Sequence, residues 1–366
     1  KKGIVFFALT IFGGHMVKIV IDAMGGDFAP AAQVGGAVEA LRRDKDISVL
    51  LVGDEGKIRE ELAKGEYDSS RVEIVHAPEV ITNDDIPTKA VRAKKNSSTV
   101  VSFNLLREGK ADALVSSGAT GAVLTAAVLL LGRIKGISRP ALCPRIPNLR
   151  GTGTLLCDCG ANVECKPVNL VHFAMMATAY AQAAFGMPSP KVGLLNNGTE
   201  DHKGDPMHQE ANALLKKLSC IDYIGNVEGR DIMAGEADVV VADGFTGNIA
   251  LKSVEGCGKA ISGIMKQQFK KNIFTKLRAA LVYDVIKNIR NAADYEKMGG
   301  AMFLGLKKAV VKAHGNSRAN GFSICVRQAA DAVRGGMVEK IQKMLEETAQ
   351  AEEGAEEGAP AGAENA

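Results

Sequence analysis

The sequence predicts an α/β protein with a mainly parallel, doubly wound sheet, and three observations carry that prediction. Apolar, β-branched runs alternate with longer helix-period segments from Val17 to about residue 250. The connections between them are short, which suits crossover helices joining parallel strands. Five of the runs end in a cluster of Gly, Asn, Asp, Ser and Thr: Asp22-Ala-Met-Gly-Gly-Asp27, Ser116-Ser-Gly-Ala-Thr-Gly121, Asp158-Cys-Gly-Ala-Asn162, Asn196-Asn-Gly-Thr199 and Asp243-Gly-Phe-Thr-Gly-Asn248. Ligands of open α/β sheets bind outside the carboxyl ends of the strands, so these five ends are expected to share one crevice. Free N–H groups at such turns, and the positive ends of the helices they open, favour anions.

Strands are expected at 17–22, 47–52 and 72–75, each a β-branched run closed by turn residues. Helices at 31–43 and 55–64 follow the first two, the earlier one opening after Pro30 and ending in Arg42-Arg43. Next come a helix at 96–109, a strand at 112–116 and an apolar helix at 119–131. Arg139-Pro-Ala-Leu-Cys-Pro-Arg-Ile-Pro147 is too rich in proline for a helix and is expected to make an edge or arm. Strands at 154–158, 191–196, 221–224 and 238–242 alternate with helices at 167–186 and 207–218.

Beyond Phe245 the pattern turns helical, at 245–271 and 273–290. Ile261, Met265, Phe269, Ile273, Leu277, Leu281, Val285 and Ile289 recur at every fourth position. That row would wind by roughly 40° per step round a continuous helix, so a break is expected near Asn272. Residues 261–290 carry Lys266, Lys270, Lys271, Lys276, Arg278, Lys287 and Arg290 against one acid, Asp284. A basic amphipathic segment suits an anionic membrane surface, and a dimer interface or core packing accounts for the same row. Two strands, in 299–306 and 310–314, and a helix at 318–345 complete the domain, expected to span 16–345. Residues 346–366, rich in Glu, Gly and Ala, read as a disordered acidic tail.

Composition bounds the function. With 366 residues, 46% hydrophobic and 24% charged, the chain can bury a large core. Only 5% of residues are aromatic and none is Trp, which argues against base-stacking nucleic-acid modules. Seven of the 42 acidic residues lie in the tail, which has no Lys or Arg, so the remainder carries 45 basic against 35 acidic side chains. A basic body suits acidic partners, although a solvated surface explains it as well. Seven cysteines in a long chain fit a reducing cytosol, and Cys157, Cys159 and Cys165 lack the C-x-x-C spacing of a metal site, so no metal is expected. The leading Lys1-Lys-Gly and the nine-residue, mostly apolar run to Phe12 have the order of a secretory signal without its cleavage site. Residues 1–15 are therefore read as a non-native or mis-started extension before Met16.

Neither G-x-x-x-x-G-K-[ST], a strand followed by G-x-G-x-x-G, H-E-x-x-H nor G-x-S-x-G occurs. The candidates for chemistry are thus the strand ends. Ser116, Ser117, Gly118, Thr120 and Gly121 can cradle a phosphate, or simply cap a helix. Asp243, Gly244, Thr246, Gly247 and Asn248 are more polar than a tight turn requires. Asp22, Gly25, Gly26, Asp27, Asn162 and Asn196 complete the binding set. Lys203 is placed as a substrate clamp, or as an ordinary solvated lysine. Lys89, Arg92, Lys94 and Lys95 make either a helix face or a docking surface for an acidic protein. His314, after an apolar strand, can donate to a developing anion or leaving group, or serve structurally.

These residues closely resemble the bacterial phosphate acyltransferase family (acyl-acyl-carrier-protein:phosphate transacylase, PlsX) from Met16 to about residue 345. The resemblance rests on the strand-end motifs above together with Arg92-Ala-Lys-Lys-Asn-Ser-Ser98, Arg133-Ile-Lys-Gly-Ile-Ser-Arg-Pro140, Asn197-Gly-Thr-Glu-Asp-His-Lys-Gly204, Gly299-Gly-Ala301 and Lys312-Ala-His-Gly-Asn-Ser317. It implies a three-layer α/β/α fold, isocitrate-dehydrogenase-like and phosphotransacetylase-related, in a cytoplasmic, peripherally membrane-associated homodimer. It also implies transfer of a long-chain acyl group from acyl carrier protein to inorganic phosphate for phospholipid synthesis. The chain would then need no cofactor of its own, since the carrier brings 4'-phosphopantetheine. One position departs: where the family reads Ser-Ala-Gly-Asn-Thr-Gly, Ala119 replaces the amide. On this reading Ser116, Ser117 and Thr120 bind phosphate, with Lys203 as clamp, while Asp243, Thr246, Asn248 and His314 orient the thioester or stabilise its oxyanion. A phosphotransacetylase using acyl-CoA and a non-catalytic membrane scaffold are the alternatives.

Overall fold

A computed structural model of the protein describes residues 16–292 and 295–357. The extension expected at 1–15 and the last nine residues of the expected tail lie outside the described residues. In chain order the elements are β1 (Val17–Asp22), α1 (Ala31–Arg43), β2 (Ile47–Gly53), α2 (Glu55–Leu62), β3 (Val72–His76), α3 (Pro87–Ala93), α4 (Ser98–Arg107), β4 (Ala113–Ser116) and α5 (Thr120–Ala126). There follow β5 (Ala141–Cys143), β6 (Arg145–Ile146), β7 (Thr154–Cys157), α6 (Pro167–Phe185), β8 (Lys191–Leu195), α7 (Pro206–Leu215), β9 (Asp222–Val227), α8 (Gly229–Ala234) and β10 (Val239–Val241). The chain ends with α9 (Gly244–Lys270), α10 (Ile273–Leu281), α11 (Tyr283–Ala292), β11 (Ala301–Leu304), β12 (Ala309–Lys312), α12 (Ala319–Arg334) and α13 (Met337–Glu357).

The class is the expected one, α/β with parallel-rich sheets between helices, but the strands divide into two sheets where the alternation suggested one. The larger has the order β3-β2-β1-β4-β12-β11-β5, and the smaller β6-β7-β10-β8-β9. Parallel pairing runs from β3 through β12 in the first and from β7 through β9 in the second. Their central strands are Val-, Ile- and Leu-rich and buried on both faces, as parallel strands between helices must be. Asp22, Ser116 and Lys312 end neighbouring strands in register, and Asp158 and Asp243 follow the adjacent β7 and β10.

The proline-rich segment joins the two sheets. Ala141–Cys143 closes the edge of the first, Pro144 interrupts the pairing, and Arg145–Ile146 closes the edge of the second. Proline has no N–H to give a ladder, so an edge that changes sheets is where it fits. Leu142 N–H then donates to the Asp158 carboxylate at 2.9 Å, tying the first sheet to the end of β7.

A shared core holds both sheets together. In α6, Leu170, Phe173, Met176 and Tyr180 are fully buried and Val171 nearly so, which marks a helix covered on most sides. It packs against β7 and β10 of one sheet and β11 of the other, and also against α12 and α13. Each large side chain buried there contributes roughly 1.5–3 kcal/mol. The expected final helix is broken at Gly335-Gly336, with Gly336 at φ +67°, and α13 continues past Leu345 into the acidic segment as far as Glu357.

Only Gly244 and Gly247 of α9 are buried, so most of that helix stands away from the body. The expected break falls at Asn272, whose side chain caps α10 by accepting from Thr275 N–H. A second break at Val282 separates α11. No helix among the described residues is long and apolar enough to cross a membrane.

Candidate active site

Between the sheets lies a cleft of about 480 Å³, with a smaller cavity of about 270 Å³ beside it. Thr120, Asn248 and His314, from three separate strand-end motifs, line the larger one. Gly26, Asp27, Ser117, Gly118 and Thr120 line the smaller. Three residues border both: Thr120, Lys312 and Gly315.

The wall contributed by the first sheet is shaped from beneath by buried hydrogen bonds. Asp22 is fully buried, and its Oδ2 accepts from Thr99 Oγ1 and Ser116 Oγ, each at 2.8 Å. Ser116 Oγ in turn accepts from Gly118 N–H at 3.0 Å. Ser117 donates its hydroxyl to the Gly25 carbonyl and accepts from Gln33. The hydroxyls of Ser116 and Ser117, expected to hold phosphate, are therefore turned inward to support the loop, and Asp22 is placed beneath the site. Thr120 alone of the three hydroxyl residues reaches both cavities. Gly26 has φ +91°, and a side chain there would press on the Gly315 carbonyl and on Ser117.

The second sheet supplies the start of α9. Asp243 caps that helix, accepting from Phe245 N–H and Thr246 N–H at 3.0 and 2.9 Å. A Cβ at Gly247 would overlap the Asp158 carbonyl, and one at Gly244 would meet the Asn162 carbonyl, so both glycines allow α9 to seat against the loop after β7. Asp158 accepts four hydrogen bonds, from Leu142, Ala161 and twice from Asn162. Burial pushes its carboxyl up, with those bonds pulling against it. Asn162 donates to the Pro140 carbonyl as well, and so is engaged in holding the loop. Thr246 contributes its backbone to the Asp243 cap, and Gly121 packs against Pro87 of α3. Asn248 is exposed at the cleft wall beside Gly160.

Asn196 and Lys203 lie beyond β8 and line neither cavity. Asn196 Nδ2 donates to the Lys203 carbonyl at 3.2 Å, which closes this loop on itself. The link back to the cleft runs through His208, whose Nδ1 lies 2.9 Å from Asp205 and whose Nε2 lies 4.0 Å from Asp243.

Lys312 was not singled out as a site residue by its sequence. It ends β12, its side chain is buried, and its Nζ donates to the Ala313 carbonyl at 2.5 Å. Burial lowers its pKa from the ordinary 10.5 to about 8, while Cys325, Asp22 and Asp27 pull it upward. A lysine closing the otherwise apolar run Ala309-Val-Val-Lys312 was the available signal. Burial likewise holds the His314 imidazole below its ordinary range, which favours the neutral ring near pH 7. Asn316 N–H points at Nδ1 from 3.5 Å. Opposite, Gln328 pins the glycine floor, accepting from Gly300 N–H at 2.8 Å and donating to its carbonyl at 2.9 Å and to Tyr180 at 2.6 Å.

Comparison with known proteins places this geometry in a family. Residues 17–340 match the family model described as fatty acid synthesis protein. The phosphate acyltransferase of Clostridioides difficile (strain 630) is 43% identical over 329 residues, covering 90% of this chain and 96% of that one. The phosphate acyltransferase of Geobacillus thermodenitrificans (strain NG80-2) is 46% identical, covering 91% and 100%. Among solved structures, phosphotransacetylases from Staphylococcus aureus and Streptococcus pyogenes both superpose with a TM-score of 0.58, at 18% and 19% identity. They cover 87% and 89% of this chain and 95% of their own, and they support the three-layer α/β/α fold. On the family match and on identities above 40% across nine-tenths of its length, the chain belongs to the fatty acid synthesis protein family, as an acyltransferase of the phosphate acyltransferase (PlsX) group.

Proposed function

We propose that the chain transfers a long-chain acyl group from the thioester of acyl carrier protein to inorganic phosphate, giving acyl phosphate and the free carrier thiol. The observation that carries this reading is the meeting of Thr120, Asn248 and His314 from both sheets on one cleft. A phosphate oxygen attacks the thioester carbon, the C–O bond forms, the C–S bond breaks, and the sulfur leaves with the electron pair and takes up a proton. Phosphate is already a nucleophile near neutral pH, so the site has to position it and stabilise the tetrahedral oxyanion. Asn248 donates to that oxyanion, the His314 imidazole faces the leaving sulfur, and Thr120 meets the phosphate. Asp243 orients the thioester by holding the start of α9, where His208 links it to the loop that carries Lys203. The carrier brings 4'-phosphopantetheine, and the enzyme needs no cofactor of its own.

The test is acyl phosphate formation by purified protein, dependent on phosphate, with acyl carrier protein and acyl-CoA as rival donors. Preference for the carrier-bound donor supports the reading. Preference for acyl-CoA replaces it with a phosphotransacetylase, and no product from either donor removes catalysis of this kind.

We also propose that α9–α11 bring the enzyme to an anionic membrane surface as a peripheral, cytoplasmic homodimer. The support is a run of exposed Phe274, Leu277, Leu281, Val285 and Ile289 among basic side chains.

A further inference from the structure

We infer that Lys312 is the cation that holds the reacting phosphate, at the point where the two cavities meet. Resting on the acyl-transfer reading above, this assignment places the nucleophile between Lys312 and Thr120, the two side chains that border both spaces. The other Lys and Arg side chains lining the larger cleft, Lys252 and Arg145, do not border the smaller one, although Arg145 keeps a buried Nε without a hydrogen-bond partner. Lys252 pairs with Glu255 at 2.9 Å. Arg145 lies over the Phe185 ring at 4.1 Å and donates to the Thr152 carbonyl.

Lys312 stands differently. Its ammonium has three donors, and its hydrogen bond within the protein uses one, on the Ala313 carbonyl. Asp22 and Asp27 attract it, yet among the described residues no carboxylate forms an ion pair with Lys312 within 4.0 Å. A buried ammonium without a paired carboxylate is costly, and an anion arriving in the cavity supplies the missing charge. The backbone fixes where that charge sits, because Lys312 is in register with Ser116 on β4 and with Ala301 on β11. Asp27 also lines the smaller cavity, so the pocket repels a dianion unless Lys312 is protonated. The groups that set its proton are therefore Asp22, Asp27, Cys325, the neighbouring His314 and the bound anion itself.

Two measurements decide the assignment. In steady-state assays Lys312→Met raises the KM for phosphate by roughly tenfold or more, the scale of one charge-assisted contact, while the KM for the acyl donor stays within about twofold. Calorimetry of inorganic phosphate binding to the wild-type enzyme at pH 8, in buffers of different ionisation enthalpy, shows uptake of up to about half a proton, as the anion raises the Lys312 pKa from about 8. The wild-type measurement stands even if the variant does not fold. An unchanged phosphate KM in an active Lys312→Met, or phosphate binding to wild type without proton uptake, overturns the assignment and leaves the acyl-transfer reading intact. Wild-type enzyme that binds phosphate with proton uptake but makes no acyl phosphate keeps Lys312 as an anion holder and sinks the reaction instead.

Discussion

At the scale of single residues, the site trades stability for charge. The unfolded chain keeps the Lys312 proton up to its ordinary pKa of 10.5, whereas the folded protein releases it at about 8. Between those values the unfolded state binds more protons, so stability contributed by this group rises with pH, and its full cost applies below about 8. Lys312→Met is therefore expected to be more stable than wild type at pH 7, on the order of 3 kcal/mol, even as activity falls. Urea unfolding should show that advantage shrinking as the pH is raised from 8 towards 10.5. Asn248 makes the opposite case. It is exposed at the cleft wall, and Asn248→Ala should lower kcat by roughly a hundredfold with almost no change in melting temperature. A large drop in melting temperature with normal turnover would instead make Asn248 a support for the start of α9.

At the scale of elements, close approach and exposed surface explain two segments. The start of α9 sits on the loop after β7 only because Gly247 has no side chain, and Gly247→Ala should cost about 1–3 kcal/mol from the forced shift. Thermal unfolding measures it, and a variant as stable as wild type would show that the loop yields freely. The rest of α9, with α10 and α11, presents apolar and basic side chains outward. Lys270, Lys271 and Lys276 near an anionic bilayer contribute roughly 1 kcal/mol each, screened by salt. Changing the three to Glu should release the protein from anionic vesicles while leaving turnover of a soluble donor. Co-sedimentation checks the first and the soluble assay the second. Retained vesicle binding sinks the membrane proposal, whereas loss of a dimer on size exclusion points to an interface between subunits.

At the scale of the whole molecule, the cleft is bordered by both sheets, so a ligand held there reinforces the contact between them. Saturating phosphate, at about a hundred times its dissociation constant, should stabilise the folded state by about 2.7 kcal/mol and raise the melting temperature. Scanning calorimetry with and without phosphate tests this, using sulfate as the control for a general salt effect. A melting temperature indifferent to phosphate would argue against a phosphate site in the native protein.

Much of this molecule was determined locally and is legible in the sequence. Strand-helix alternation, the Asn272 break and the polar strand ends follow from side-chain periodicity and turn chemistry, which neighbouring residues decide among themselves. The proline-rich segment announced an edge for the same reason: a missing N–H is a property of the residue. What only the tertiary structure decided is which strands became neighbours and which way each polar side chain turned. Ser116 and Ser117 read as phosphate ligands until Asp22, 94 residues away in sequence from Ser116, claimed one hydroxyl and Gly25 the other. Lys312 had no role of its own in the sequence, where it only opens the motif before His314, until β12 was inserted between β4 and β11. Lateral strand order and burial are set by long-range packing of helices such as α6 against two sheets at once, and no local pattern encodes them. The chain carries its elements in its own periodicity, but the electrostatics of its cleft exist only once residues distant in sequence exclude water together.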